Sequence, residues 1–143
     1  MCSNSHAGFI EDEEEKHMLK KSKDALDPQS WCGLNRPDRK ETKVDAVLFG
    51  IPFDGGVSYR GGAAEAPEIL RANTKHSTPS TERLYYYDKF NILDVGDFVN
   101  EDRDALFAEV QEYVRELVKN NVRFTMVGGD HSVTIPVERG IDD

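Results

Sequence analysis

The segment Gly128-Gly129-Asp130-His131-Ser132 carries the residue types best suited to chemistry in this chain. Imidazole is a common ligand for divalent transition metals. Two glycines allow a tight turn and close backbone approach just ahead of it. Asp130 has three roles open to it: ligand, orienter of a ligand, or cap of the following turn. Taken alone, a histidine beside a strand end is more often a satisfied polar residue than a ligand. Two other segments put polar groups and glycines together: Phe53-Asp54-Gly55-Gly56 with Arg60-Gly61-Gly62, and Asp94-Val95-Gly96-Asp97. Neither glycine pair makes a P-loop, because no Gly-Lys-Ser/Thr follows, and no G-x-G-x-x-G fingerprint is present. Ser132 lacks the G-x-S-x-G elbow of a serine hydrolase. His76 reads as a surface histidine past a helix. Tyr85-Tyr86-Tyr87 reads as half-buried packing rather than a base-stacking platform.

These segments need elements to hold them. Val44 to Ile51 is a short apolar run, which suits a strand buried on both faces. Pro67 fits the first turn of a helix through Ile69, Leu70 and Arg71. Phe90 to Asp97 reads as a second strand ending in a turn. Leu106, Val110, Tyr113, Val114, Leu117 and Val118 form one apolar stripe, which predicts a helix from about Asp104 to Asn120. Asp102 and Asp104 favour its start, and Asn120-Asn121 its stop. Val122 to Val127 gives a third strand, running straight into Gly128. Strand, helix, strand, helix, strand predicts an α/β domain with a parallel sheet. Ligand sites in such sheets lie at the carboxyl ends of strands, where all three chemical segments fall.

The 143 residues suffice for one domain. Residues 1–43 form a polar N-terminal extension, and residues 44–143 the α/β part. A helix over about Glu11 to Ala25 is one reading of the extension, supported by the Asp12–Lys16 spacing. Trp31-Cys32-Gly33-Leu34 is its main apolar cluster and is expected to dock on the globular part. The chain has 27 acidic and 18 basic residues, a formal net charge of −9. That surface repels phosphate backbones, so nucleic acid is not an expected partner. Cys2 and Cys32 make neither a zinc motif nor a disulfide scaffold. No run approaches a membrane span or a signal peptide, and a cytoplasmic location is expected.

Val127-Gly128-Gly129-Asp130-His131-Ser132-Val133-Thr134-Ile135-Pro136 resembles the first metal-binding motif of the ureohydrolase family, the arginases and agmatinases. Upstream, Gly50 to Asp54, Ser58 to Ala63 and Glu65 to Arg71 resemble that family's first strand, glycine-rich loop and helix start. Glu65-Ala66-Pro67 stands where the family often has Phe-Gly-Pro. Asp94 to Asp97 resembles its aspartate-glycine-aspartate segment. The resemblance covers about residues 44–139. It implies a three-layer arginase-like fold, of which this is the N-terminal part. It also implies a binuclear manganese hydrolase, agmatinase-like, that converts agmatine to putrescine and urea in polyamine biosynthesis. Two divalent cations roughly 3.5–4 Å apart would activate one water against a poorly electrophilic guanidinium carbon. His131 would be a metal ligand, with Gly128, Gly129, Asp130 and Ser132 supporting its loop. A homo-oligomer of the complete protein is implied as well. The family's later Asp-x-His-x-Asp and Ser-x-Asp-x-Asp segments have no match here, so no catalytic residue is assigned within the chain. The expectation is a chain inactive by itself; the alternative is a non-catalytic truncated relative that acts as a binding partner or survives as a relic.

Overall fold

A computed structural model of the chain describes residues 19–55 and 61–143. Three central strands, β2 (Ala46–Ile51), β3 (Ile92–Phe98) and β4 (Phe124–Gly128), run parallel. A two-residue strand, β1 (Leu19–Lys20), pairs antiparallel with β3, so the sheet order is β1-β3-β2-β4. The mostly parallel α/β architecture follows the sequence pattern, because buried apolar runs alternate with amphipathic helices.

Helices cover both faces, giving three layers. On one face α3 (Arg103–Lys119) and α4 (Thr134–Asp142) pack side by side. Alternate residues of the strands, Val47, Phe49, Ile51, Leu93 and Val95, meet Leu106, Val110, Tyr113, Val114 and Leu117 of α3 in one core cluster. Burial of each such side chain contributes about 1.5–3 kcal/mol. Phe49, Phe98 and Tyr113 meet ring to ring at 5.3–5.7 Å. Asp102 caps α3, accepting from the Asp104 and Ala105 amides, and Asn121 ends the turn at φ 57°. On the other face α2 (Ala66–Asn73) turns Pro67 and Arg71 toward the sheet.

The described part of the polar N-terminal segment lies against this unit. Residues 11–18 of the expected helix are outside the described residues. The remainder is not helical: Leu19 pairs with Phe98 and Lys20 with Asp97, followed by turns to residue 26. A polar helix of this length is marginal in water, and an open strand edge offers its backbone better partners. Trp31 to Leu34 does dock, through α1 (Ser30–Gly33), a distorted turn with Trp31 and Cys32 at positive φ. Tyr85, Tyr86 and Tyr87 differ from expectation. They are 68%, 65% and 44% exposed, on a loop where an isolated antiparallel bridge joins Ser80 and Tyr86. No helix among the described residues is long and apolar enough to cross a membrane.

Candidate functional site

The carboxyl ends of β2 and β4 form one small platform. The Gly129 amide donates to the Ile51 carbonyl, and the Asp130 amide to the Phe53 carbonyl, both at 2.9 Å. These bonds extend the β2–β4 ladder into the loops beyond it. They explain the glycine pair. A Cβ on Gly129 would stand 1.9 Å from the Phe53 carbonyl oxygen, and one on Gly128 would stand 2.4 Å from Val133. The loop after β4 can therefore reach the loop after β2 only without those side chains.

His131 follows directly, in a tight turn over His131–Val133. Asp130 is the cap of that turn. Its Oδ1 accepts from the Ser132 amide at 2.8 Å and from the Ser132 hydroxyl at 2.5 Å. Val133 is buried and anchors the turn, while His131 is exposed at the strand end. The imidazole is thus held at its backbone and open at its ring. Asp54, on the β2 side of the platform, accepts from the Gly62 amide at 3.1 Å and closes the glycine-rich loop. Residues 56–60 of that loop, Ser58 to Arg60 among them, lie outside the described residues.

The Asp94–Asp97 segment has a different role from the strand-end ligand site expected of it. Asp94 is buried beneath α2 and is spent on a structural network. Arg71 reaches it with Nε at 2.6 Å and Nη2 at 2.9 Å, and Nη2 also meets Asp97 at 2.9 Å. The Trp31 indole donates to Asp94 at 2.7 Å, and the Gly96 amide, at φ 98°, donates at 2.9 Å. Asn35 receives the Asp94 amide at 3.1 Å. Burial alone would lower the Arg71 pKa, but the hydrogen bonds to Asp94 and Asp97 raise it further above its ordinary value, so the guanidinium stays charged. Sequence reasoning assigned Arg71 only to a helix. The signal for its role was a lone arginine on the sheet-facing side of α2, four residues after Pro67.

A binuclear metal centre needs several ligands on each cation. Among the described residues no three His, Cys, Asp or Glu side chains gather to hold a cation. His76 is exposed past α2, as expected, and Asp143 accepts from Gln111 at the end of α4. His131 offers one imidazole, and the described residues by themselves do not make a manganese site.

A parallel sheet sandwiched by helices, with a glycine-gated histidine loop at the carboxyl ends, defines an α/β protein of the strand-end ligand class. The chain belongs to the arginase family: that family's model matches residues 44–143. Members are hydrolases of C–N bonds in amidines and guanidino compounds. Proclavaminate amidinohydrolase of Streptomyces clavuligerus is 34% identical over 108 residues, covering 73% of this chain and 34% of that protein. Agmatinase of Neisseria meningitidis serogroup C is 33% identical over 106 residues, covering 69% and 34%. Among solved structures, agmatine ureohydrolase of Thermoplasma volcanium superposes with TM-score 0.60 at 25% identity, over 89% of this chain and 40% of that one. Formiminoglutamase of Trypanosoma cruzi, solved with Mn2+, shares the fold with TM-score 0.68 at 21% identity, over 78% and 39%. The chain spans about a third of the length of the curated relatives it matches.

Proposed function

We propose that these residues form the N-terminal portion of a metal-dependent ureohydrolase, with His131 one ligand of its manganese centre and agmatine its substrate. The observation that carries this reading is the glycine-gated His131 loop at the end of β4, inside the region that matches the arginase family. The chain's own contribution is positional. Gly128 and Gly129 bring the loop onto Ile51 and Phe53, and Asp130 with Ser132 fixes the turn that presents the imidazole. The other ligands, and the groups that grip the substrate tail, would come from parts of the fold that these residues do not include.

Agmatine is favoured because Gly50 to Asp54 with Ser58-Tyr59-Arg60 is more like agmatinases than arginases, and agmatinases at 33% identity support it. The reaction adds water across the guanidinium carbon and releases putrescine and urea. A cytoplasmic, homo-oligomeric enzyme is part of the same proposal. The test uses protein made from the longest reading frame that contains these residues. Urea release is measured with manganese on agmatine, guanidinobutyrate, formiminoglutamate and arginine, with His131→Ala as control. Agmatine is expected to be the best substrate, and the variant to lose activity by about 10-fold or more with weakened metal binding. Failure to release urea from any of them would end the catalytic reading in favour of a non-catalytic binding partner.

A further inference from the structure

Residues 19–35 run along the β3 side of the sheet and across α2, and polar bonds do much of the holding. β1 pairs with β3 through Leu19 and Lys20 only. Gly96, at φ 98°, makes room for it, since a Cβ there would stand 2.5 Å from the Lys20 carbonyl oxygen. Further along, the Ser22 hydroxyl donates to Glu68 Oε1 of α2 at 2.8 Å, and Lys75 holds Asp24 and Asp27. The Trp31 amide donates to the Thr74 hydroxyl at 2.9 Å, and the Cys32 amide to the Thr74 carbonyl at 3.1 Å. A segment tied in this way opens locally at a lower free energy than the core beneath it.

Ser22 is the chemically distinctive residue of this segment. It sits in Lys20-Lys21-Ser22-Lys23, a basic run in a chain of net charge −9, and no other serine or threonine of the chain has a lysine or arginine on both sides. The three lysines are exposed, Ser22 is half-buried, and the backbone at Lys21 and Ser22 belongs to no helix or strand. Its hydroxyl also has a defined task. Glu68 Oε1, which accepts the Ser22 proton, lies 3.2 Å from Arg71 Nη1, so the hydroxyl adds a donor to the carboxylate beside the buried guanidinium. Asp24 follows two residues later. The hydroxyl therefore works as a donor among carboxylates, and a negative charge on its oxygen would reverse the sign of that contact.

We propose that Ser22 is a phosphorylation site for a serine/threonine kinase that reads lysines beside its target, and that the phosphate releases residues 19–35 from α2. In the transfer, Ser22 Oγ attacks the γ-phosphorus of a nucleoside triphosphate. The new Oγ–P bond forms as the bond from that phosphorus to the bridging oxygen of the β-phosphate breaks. The nucleoside diphosphate leaves, and the hydroxyl proton passes to the kinase. The product carries about −1.5 to −2 charge and no donor at Oγ. Its oxygens then stand beside Glu68, where like charges repel, while the exposed Lys21 and Lys23 draw the phosphate toward solvent. Both effects pull Ser22 off α2. With β3 and β2 between β1 and β4, this site is separate from the His131 loop and does not depend on the proposed activity.

The test uses folded protein made from the longest reading frame that contains these residues, ATP, and a panel of serine/threonine kinases that prefer lysine or arginine beside the target. Mass spectrometry of peptides is expected to place a phosphate on Ser22. Lys21→Gln with Lys23→Gln, exposed changes that spare the core, should slow that transfer about 10-fold or more. Hydrogen exchange then reads the release. Amides of residues 19–35 should exchange about 10-fold faster in the phosphorylated protein, with α3 unchanged. In Glu68→Gln the repelling charge is gone, so phosphorylation should accelerate exchange by about 3-fold or less. No phosphate at Ser22 with any kinase of the panel overturns the proposal. Phosphate at Ser22 with unchanged exchange overturns the release, and equal acceleration in Glu68→Gln overturns its electrostatic cause.

Discussion

Asp94 accepts hydrogen bonds from Arg71, Trp31 and Gly96, and so ties α2 and the N-terminal segment to one point of β3. Its partner Arg71 has no exposed surface. Removing half of a buried ion pair leaves the other charge undercompensated, here with only Asp97 and the half-exposed Glu68 beside the guanidinium. Asp94→Asn is expected to cost about 3–5 kcal/mol, read as a lower denaturant midpoint. Gly129→Ala tests the other key position. Its methyl group would collide with the Phe53 backbone, so the loop must move. The expected loss is about 1–3 kcal/mol, with displaced His131 resonances in NMR spectra. Unshifted resonances would show that the histidine loop does not depend on this close approach.

Elements are joined by polar contacts that cross the composition boundary near residue 43. Glu41 is buried and accepts from the Tyr113 hydroxyl of α3 at 3.1 Å. Burial, then the neighbouring Glu41, holds the Tyr113 pKa well above its ordinary value. Tyr113→Phe should therefore destabilise the chain by about 1–3 kcal/mol, because the buried glutamate loses a donor. Near the end of α2, Lys75 contacts Asp24 at 2.5 Å and Asp27 at 3.0 Å. The bond from Lys75 lowers the Asp24 pKa, and the Gln29 amide, then Lys75, lowers that of Asp27. Both carboxylates bind protons less readily when folded. Their contribution is complete above the ordinary value of about 3.9 and fades as pH falls through the folded values. Trp31 donates its backbone amide to Thr74, next to Lys75, and its indole to Asp94, and it is the only tryptophan. Its fluorescence should change below about pH 4, and Lys75→Met should shift that transition upward. A transition identical in the variant would assign it to other carboxylates.

At the scale of the molecule, the described residues set one histidine loop at the carboxyl end of β4. One imidazole stands at the crevice, and β4 has one neighbour among the described residues. Two metals cannot share one histidine, since each cation needs several ligands. The 143-residue chain with manganese is therefore expected to release no urea from agmatine. Manganese-dependent urea production by that chain alone would show that these residues suffice.

Much of this was legible in the order of residues. Apolar runs of strand length, a helical stripe from Leu106 to Leu117 and turn residues at their ends set the order of elements, because periodicity depends only on neighbours along the chain. The His131 loop was legible for the same reason: its glycines, cap and histidine are contiguous. The roles of Asp94 and Arg71 were not, since a carboxylate near a strand end looks alike whether it faces a crevice or a helix. Twenty-three residues separate the pair. Seventy-two separate Glu41 from Tyr113, and no local pattern marks either contact. Sequence determined which segments could approach a ligand. Tertiary packing decided which polar groups remain open to one, since burial spends Asp94 on Arg71 and leaves His131 exposed at the end of β4.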